Sequence, residues 1–290
     1  MDFLVFQLRA PLASWGEPAV GEYRGTAEHP SQSALVGLLG AALGIDRADE
    51  AGHAALRDGF AFAVAVLGEP GAHRGAARAG GSLLRDYHTA QVPPRAALKG
   101  WPHRSRRDEL AIPKRDLTTI LSTRDYRQNA SWLVAVQAFA GARWPLAGLA
   151  EALRRPRFVL CLGRRSCPPS APLWPQVIDA ASALSAFEDY RARQVAAIAA
   201  ADAARAADER RSRGLPADAA SARRQWRHAA PADDALGPVA RLAWADGAEP
   251  GIDPAVTSVV TTVRKDRVIR RQGWLFGDRA EHVAILDPES

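Results

Sequence analysis

An α+β fold on a split βαβ plan, carrying an insertion and closing with additional C-terminal strands, is predicted from three features of the chain. An unbroken apolar run at residues 3–8 (FLVFQL) is followed at once by a turn and a helical period. Two later segments, residues 60–67 (FAFAVAVL) and 131–139 (SWLVAVQAF), alternate as strands do. Between these two lies a proline-broken, arginine-rich stretch with no regular period. The order along the chain is strand, helix, strand, strand, excursion, strand, helix.

Phe3, Leu4, Val5 and Phe6 continue through Gln7 to Leu8 without alternation, which suits a central strand buried on both faces. Pro11, Trp15, Gly16 and Pro18 are expected to stop its pairing. Ser31 or Ser33 then caps a helix whose apolar positions Leu35, Leu38, Leu39, Ala42 and Leu43 recur at helical spacing, with Gly44 as terminator. Gly37 and Gly40 inside that helix each cost about 1 kcal/mol relative to alanine, so something must approach closely. With Gly44 they share a face by their spacing, which serves either close helix-on-sheet packing or a shallow groove for a sugar-phosphate chain. At the helix start, Ser31, Gln32 and Ser33 surround backbone N–H groups that can hold a phosphate.

The strand at 60–67 leads into a connection bearing Gly68, Gly71 and Gly75, and residues 83–89 then read as a strand leaving the sheet. Across residues 92–128, Pro93, Pro94 and Pro102 break regular structure, and Arg95, Lys99, Arg104, Arg106, Arg107, Lys114, Arg115, Arg124 and Arg127 outnumber the acids. An exposed basic excursion is expected there. Residues 145–153 form a short helix ended by Pro156, and residues 157–162 a further strand. That strand runs into Gly163, Arg164, Arg165, Ser166, Cys167 and Pro168, a loop whose glycine and two guanidiniums can grip phosphate oxygens.

Residues 187–235, an Ala/Arg/Asp mixture with few large apolar side chains, are expected to be a solvated helix or a partly disordered insert that buries little core. Strand character returns at 257–263 and 282–286, with residues 264–267 (RKDR) as the turn and Arg270 and Arg271 beside Trp274. The division this implies is a core over 1–186 with an insertion at about 90–128, an insert at 187–236, and completing strands at 237–290.

At 290 residues and 47% hydrophobic, the chain can bury a sizeable core. Its formal charge of +6 comes mostly from arginine, which suits phosphate contacts and stacking and makes a polyanion the first partner to consider. A GC-rich genome would enrich arginine as well. Only Cys161 and Cys167 are present, without CxxC or HxxxH spacing, so neither a disulfide framework nor a metal site is expected, and no cofactor is called for. A reducing cytoplasm fits. The Met-Asp-Phe start lacks a basic leader, and no stretch approaches the roughly 20 apolar residues of a membrane span.

Four stretches, FQLRAPLASWGEP at 6–18, HPSQSALVGLLGAALGI at 29–45, LRDYHT at 84–89 and LGRRSCP at 162–168, together resemble the CRISPR-associated Cas five family, E subtype, of the RAMP superfamily. The resemblance covers most of residues 1–186 in the same order. It implies a ferredoxin-like, RNA-recognition-type core with an inserted β-hairpin thumb. It also implies membership of Cascade, the RNA-guided surveillance complex of antiviral defence, as a non-catalytic subunit capping the five-prime handle of the guide RNA. The thumb would meet the backbone subunit and the large subunit, and target DNA would be reached only through the complex.

Carried onto this sequence, the resemblance implies RNA contacts at Trp15, Arg24, Ser31, Gln32 and Ser33, and at Gly163, Arg164, Arg165, Ser166 and Cys167. Tyr87, His88 and Arg124 fall at the thumb base, and Lys99, Trp101, Arg104, Arg106, Arg107, Lys114 and Arg115 on the thumb. The residue types agree. Arginines neutralise phosphates, and a base stacked on Trp15, Tyr87 or Trp101 contributes about 1–3 kcal/mol. Trp15 can equally plug the core beside Pro11 and Pro18.

The rival is a metal-independent endoribonuclease processing precursor guide RNA, as in another subtype of the family. It would need a base, an acid and a cation around one phosphate, for which His88, Tyr87 and Lys114 or Lys99 are the candidates. A generic RNA-binding module is disfavoured by the absence of an aromatic RNP-type signature on a strand.

Overall fold

The first strand, β1 (Asp2–Ala13), organises a computed structural model that describes residues 1–16, 19, 21–68, 79–99, 105–212, 235–255, 257–271 and 273–286. The chain continues through β2 (Tyr23–Arg24), α1 (Gln32–Leu43), α2 (Glu50–Gly59), β3 (Phe60–Leu67), β4 (Ser82–Val92), the short α3 (Arg106–Glu109), β5 (Thr118–Ala138) and α4 (Leu146–Arg154). It ends with β6 (Gln176–Asp179), α5 (Ala183–Ser212), β7 (Val239–Ala245), β8 (Val259–Arg270) and β9 (Leu275–Ile285). The strands form one sheet in the order β6-β1-β5-β3-β7-β9-β8, with β2 and β4 paired to β5 off that path. Every pairing is antiparallel except β2 with β5.

The lack of alternation in β1 has a direct cause: helices cover both faces of the sheet. Leu4, Phe6 and Leu8 pack with α1, α2 and α4, whereas Phe3 and Val5 pack with the start of α5. Each fully buried side chain of this size contributes about 1.5–3 kcal/mol. Gln7, the polar member of the run, is buried but satisfied, donating to the Pro172 carbonyl at 2.7 Å and accepting from Gln194 at 3.2 Å.

Several expectations need correction. Pro11 does not end the pairing of β1, which runs on to Ala13; the ladder instead skips the Pro11 and Asn129 pair, where Asn129 adopts φ 51°. Helix α2 and strands β6 and β7 were not anticipated, although Asp49 is an N-cap accepting from the Gly52 amide. Residues 157–162 form no strand. Their Arg157 and Phe158 amides donate to Ala42 and Ala41 at the end of α1, which uses the backbone hydrogen bonds a strand would need. Residues 264–267 are not a turn but lie within β8, which runs on to Arg270.

The basic excursion is more regular than expected. Residues 118–128 are half of the 21-residue β5 and pair along their whole length with β4. The far half of β5 pairs with β1 and β3, so β4 and the near half of β5 form a ribbon continuous with the main sheet. In α5, Phe187, Tyr190 and Gln194 are fully buried, so the start of the segment expected to bury little core does contribute to it; residues 213–234 of that segment lie outside the described residues. Pro18, Gly71, Gly75, Trp101, Pro102 and Arg104 lie outside the described residues.

Candidate nucleic-acid interface

Helix α1 is fixed at both ends. Ser31 is its N-cap, accepting from the Ala34 amide at 3.2 Å, and Gly44 closes it with φ 76°. The Gln32 amide donates to Asp266 Oδ2 at 2.9 Å, so a carboxylate of the chain itself occupies the place predicted for a phosphate. Ser31 is buried and Ser33 bonds to it at 2.9 Å between hydroxyls. The helix start is therefore an internal joint, and the anion site predicted there is corrected. The two interior glycines also separate: a Cβ on Gly40 would meet the His53 ring of α2 at 2.9 Å, whereas one on Gly37 would meet nothing closer than Arg271 Nη2 at 3.8 Å. Close packing explains Gly40; Gly37 faces a groove, with only the end of Arg271 in contact range.

That groove has a volume of about 440 Å³. One wall is α1 at Ser33, Gly37 and Ala41, a second is the segment from Val159 to Arg164, and the third is the β8–β9 turn with Arg271 and Trp274. Among the described residues its lining holds two arginines and no carboxylate. Burial pulls the Arg271 guanidinium below its ordinary pKa, helped by neighbouring Arg47 and opposed by Glu50.

The glycine loop is pinned to the end of β1. The Ser14 amide donates to the Leu162 carbonyl at 3.0 Å, Leu162 to Cys167 at 2.7 Å, and Cys167 to Arg164 at 2.9 Å. Gly163 adopts φ 85°, and a Cβ there would overlap the Ser14 carbonyl. Its glycine thus admits the protein's own backbone. Arg164 lies over the Tyr126 ring at 4.6 Å and donates to the carbonyls of Arg24 at 3.1 Å and Asp125 at 3.4 Å. Arg165 and Ser166 are exposed beside it. Cys167 is fully buried, and burial pushes its thiol pKa up, so it is a core residue and not an RNA contact.

These contacts place Arg164 next to the β-ribbon. The profile of the CRISPR-associated protein (Cas_Cas5) family matches residues 3–230. The chain belongs to the Cas five family of CRISPR-associated proteins. It is 32% identical over 193 residues, 65% of this chain and 77% of the relative, to the CRISPR system Cascade subunit CasD of Escherichia coli strain K12. Among solved structures, it resembles one titled "Crystal structure of Cas protein" with TM-score 0.50 and 19% identity, covering 99% of this chain and 96% of the other. A second, "CRISPR RNA-guided surveillance complex", has TM-score 0.48 and 21% identity, with 98% and 90% covered.

In this Cas five chain the remaining predicted residues divide between a strip and the interior. Arg24 of β2 is in register with Arg124 of β5, and Tyr23 with Thr123, which on its other side pairs with Tyr87 of β4. Arg24, Arg124 and Arg164, the last over Tyr126, thus share one face of the ribbon, whereas Tyr87, paired with Thr123, projects from the other. Tyr87 is 68% exposed, while His88 is half-buried on the opposite face of β4. On the Tyr23 and Tyr87 face Asp125 is buried and accepts from Arg85 at 3.0 Å and from the Tyr23 hydroxyl at 2.6 Å; the Arg85 bond holds its carboxyl below the usual range.

On the ribbon's far end Lys99, Arg107, Lys114 and Arg115 are exposed, and Arg106 is engaged by Glu109 at 2.5 Å and by the Gln91 carbonyl. Trp15 belongs to the interior. It is 3% exposed and packs edge-to-face on Trp132 at 5.2 Å, so the core alternative is correct and the stacking role is withdrawn. Arg271 and Trp274 were missed as groove residues, and both lie beyond the span matched by the family. Among the described residues no helix is long and apolar enough to cross a membrane, and no group of three His, Cys, Asp or Glu residues is arranged for a metal.

Proposed function

We infer that this chain is a non-catalytic subunit of a type I-E CRISPR Cascade complex, binding and capping the five-prime handle of the guide RNA and helping neighbouring subunits assemble. In this reading the sheet and helices α1 and α4 are a ferredoxin-like core, and β4 with the near half of β5 is the thumb, facing the backbone and large subunits. The observation that carries it is the carboxylate-free groove between α1 and the Arg164 loop, continuous with the Arg24 and Arg124 strip, in a member of this family. A single strand is held there by phosphate neutralisation, with target DNA reached only through the assembly.

The endoribonuclease alternative is weakened by the strand period. Tyr87 and His88 project from opposite faces of β4, so they do not converge on one phosphate as an acid and a base must. Purified protein incubated with a repeat-containing RNA is expected to leave it intact; site-specific cutting abolished by His88→Ala would reverse this assignment.

The direct test is Arg164→Ala with Arg165→Ala in a complex reconstituted with its partner subunits. Guide retention is expected to fall, and the slope of log affinity against log salt to flatten by about 1.4 for two lost single-strand phosphate contacts. Unchanged retention and slope would refute the grip. Separately, deleting residues 94–115 should leave the core folded, because the described residues of that segment bury no large side chain, yet impair assembly with neighbours. Assembly at the wild-type level would reduce the segment to a loop.

A further inference from the structure

We propose that the β8–β9 turn completes the groove as a nucleotide subsite, Trp274 supplying the stacking face for one unpaired RNA base and Arg271 the cation for its phosphate. The proposal rests on the RNA-binding role inferred above and adds the wall on which that role did not draw.

Four observations converge on it. Trp274 lines the groove and is 49% exposed, so much of the indole is accessible to a ligand there. Its ring already behaves as a platform, with Phe276 nearly parallel at 6.1 Å and an 11° interplanar angle, and the Arg47 guanidinium at 4.8 Å over the ring. An Arg-on-indole contact at a wet surface is exchangeable, because a base offers the same aromatic face a larger overlap. Gly273 at φ 82° and Trp274 at φ 54° are both left-handed, and the Trp274 amide donates to the Arg271 carbonyl at 3.1 Å, which sets the backbone that carries the ring.

Arg271 supplies the second half. Its backbone amide is bonded to Glu50, but its buried Nε has no hydrogen-bond partner, a costly state for a guanidinium donor. Nη2 reaches toward Gly37, where the missing side chain leaves room for a ligand. Arg164 stands in the lining of the same groove. At about 440 Å³ the groove is within the range of small-ligand clefts, about 300–1,000 Å³, and its two arginines with no carboxylate favour an anionic ligand.

The test uses the full chain with single-stranded RNA oligonucleotides of fixed length, each carrying an abasic nucleotide at one successive position, at one salt concentration. Wild type is expected to lose roughly tenfold in affinity at one position, with indole fluorescence quenching lost there too. Trp274→Ala should lose the same factor on intact RNA and nothing more at that position, and Trp274→Phe should restore most of the binding. Losses that simply add, or no loss in Trp274→Ala with its fold verified by melting, would overturn the subsite. If Arg164→Ala with Arg165→Ala weakens binding while Trp274→Ala does not, the subsite fails and the grip stands. Failure of wild type to bind any of the RNAs overturns both, and quenching that arises only on adding a partner subunit assigns the wall to protein instead.

Discussion

Glu281→Gln is expected to destabilise the fold by about 3–5 kcal/mol, the usual cost of removing one member of a buried ionic cluster. Glu281 is 5% exposed, Asp266 2% and Arg264 8%, and they meet between the β8–β9 hairpin and the start of α1. Glu281 accepts from Arg279 at 2.8 Å and from Arg264 at 3.2 Å, and bonds His29 at 3.0 Å. Arg279 also donates twice to Asp266 at 2.9 Å, and Asp266 receives the Gln32 amide. Two guanidiniums are thus balanced by two carboxylates. A neutral amide in place of the Glu281 carboxylate would leave one of those largely buried cations without its counter-charge. Urea unfolding measures the loss; a change below about 1 kcal/mol would mean the cluster is hydrated in solution.

The same carboxylate sets an acid limit on stability. Burial alone would raise its pKa, but the hydrogen bond and charge of His29, then Arg264 and Arg279, outweigh it and bring Glu281 from 4.5 down to about 2. A folded value below the unfolded one means the unfolded chain binds the extra proton. The contribution is therefore whole above about pH 4.5 and is lost as pH falls toward about 2. Glu281→Gln should flatten the stability profile across that window.

None of this cluster was legible in the sequence, and the reason is physical. Arg264, Lys265, Asp266 and Arg267 look like a solvated turn, because burial of charge is decided by partners such as His29 and Arg279 that no local pattern reveals. Where short-range rules act alone, the chain was transparent: β3 matches its alternating run from Phe60 to Leu67, and Ser31 and Gly44 bound α1 as caps. The segment 157–162 misled because its apolar run has strand composition while its amides close α1. Residues 118–128 misled in the opposite sense. A two-stranded ribbon with solvent on much of both faces has little need of apolar alternation. Trp15 was ambiguous until Trp132, far along the chain, was placed against it. The groove was half legible, since two of its walls lie in short motifs and the third depended on where the hairpin turned.

Gly163→Ala is expected to damage folding and RNA retention together. The substitution forces a side chain into φ 85°, a strain of about 1–3 kcal/mol, and sets its Cβ within the Ser14 carbonyl, a backbone atom that cannot rotate away. The loop must then lift from β1, breaking the Ser14 to Leu162 bond and drawing Arg164 off Tyr126 and the Arg24 carbonyl. Gly141 supplies the control: it has φ 80° but nothing within 4 Å of an added methyl, so Gly141→Ala carries the strain without the collision. Gly141→Ala should lose only the strain term and keep its RNA grip, whereas Gly163→Ala should lose more stability and weaken RNA at least as much as the Arg164 and Arg165 double substitution. Equal behaviour of the two alanine variants in melting and RNA retention would show that the arginine loop is not pinned on β1, and that its cations reach RNA from a mobile segment rather than from a fixed wall.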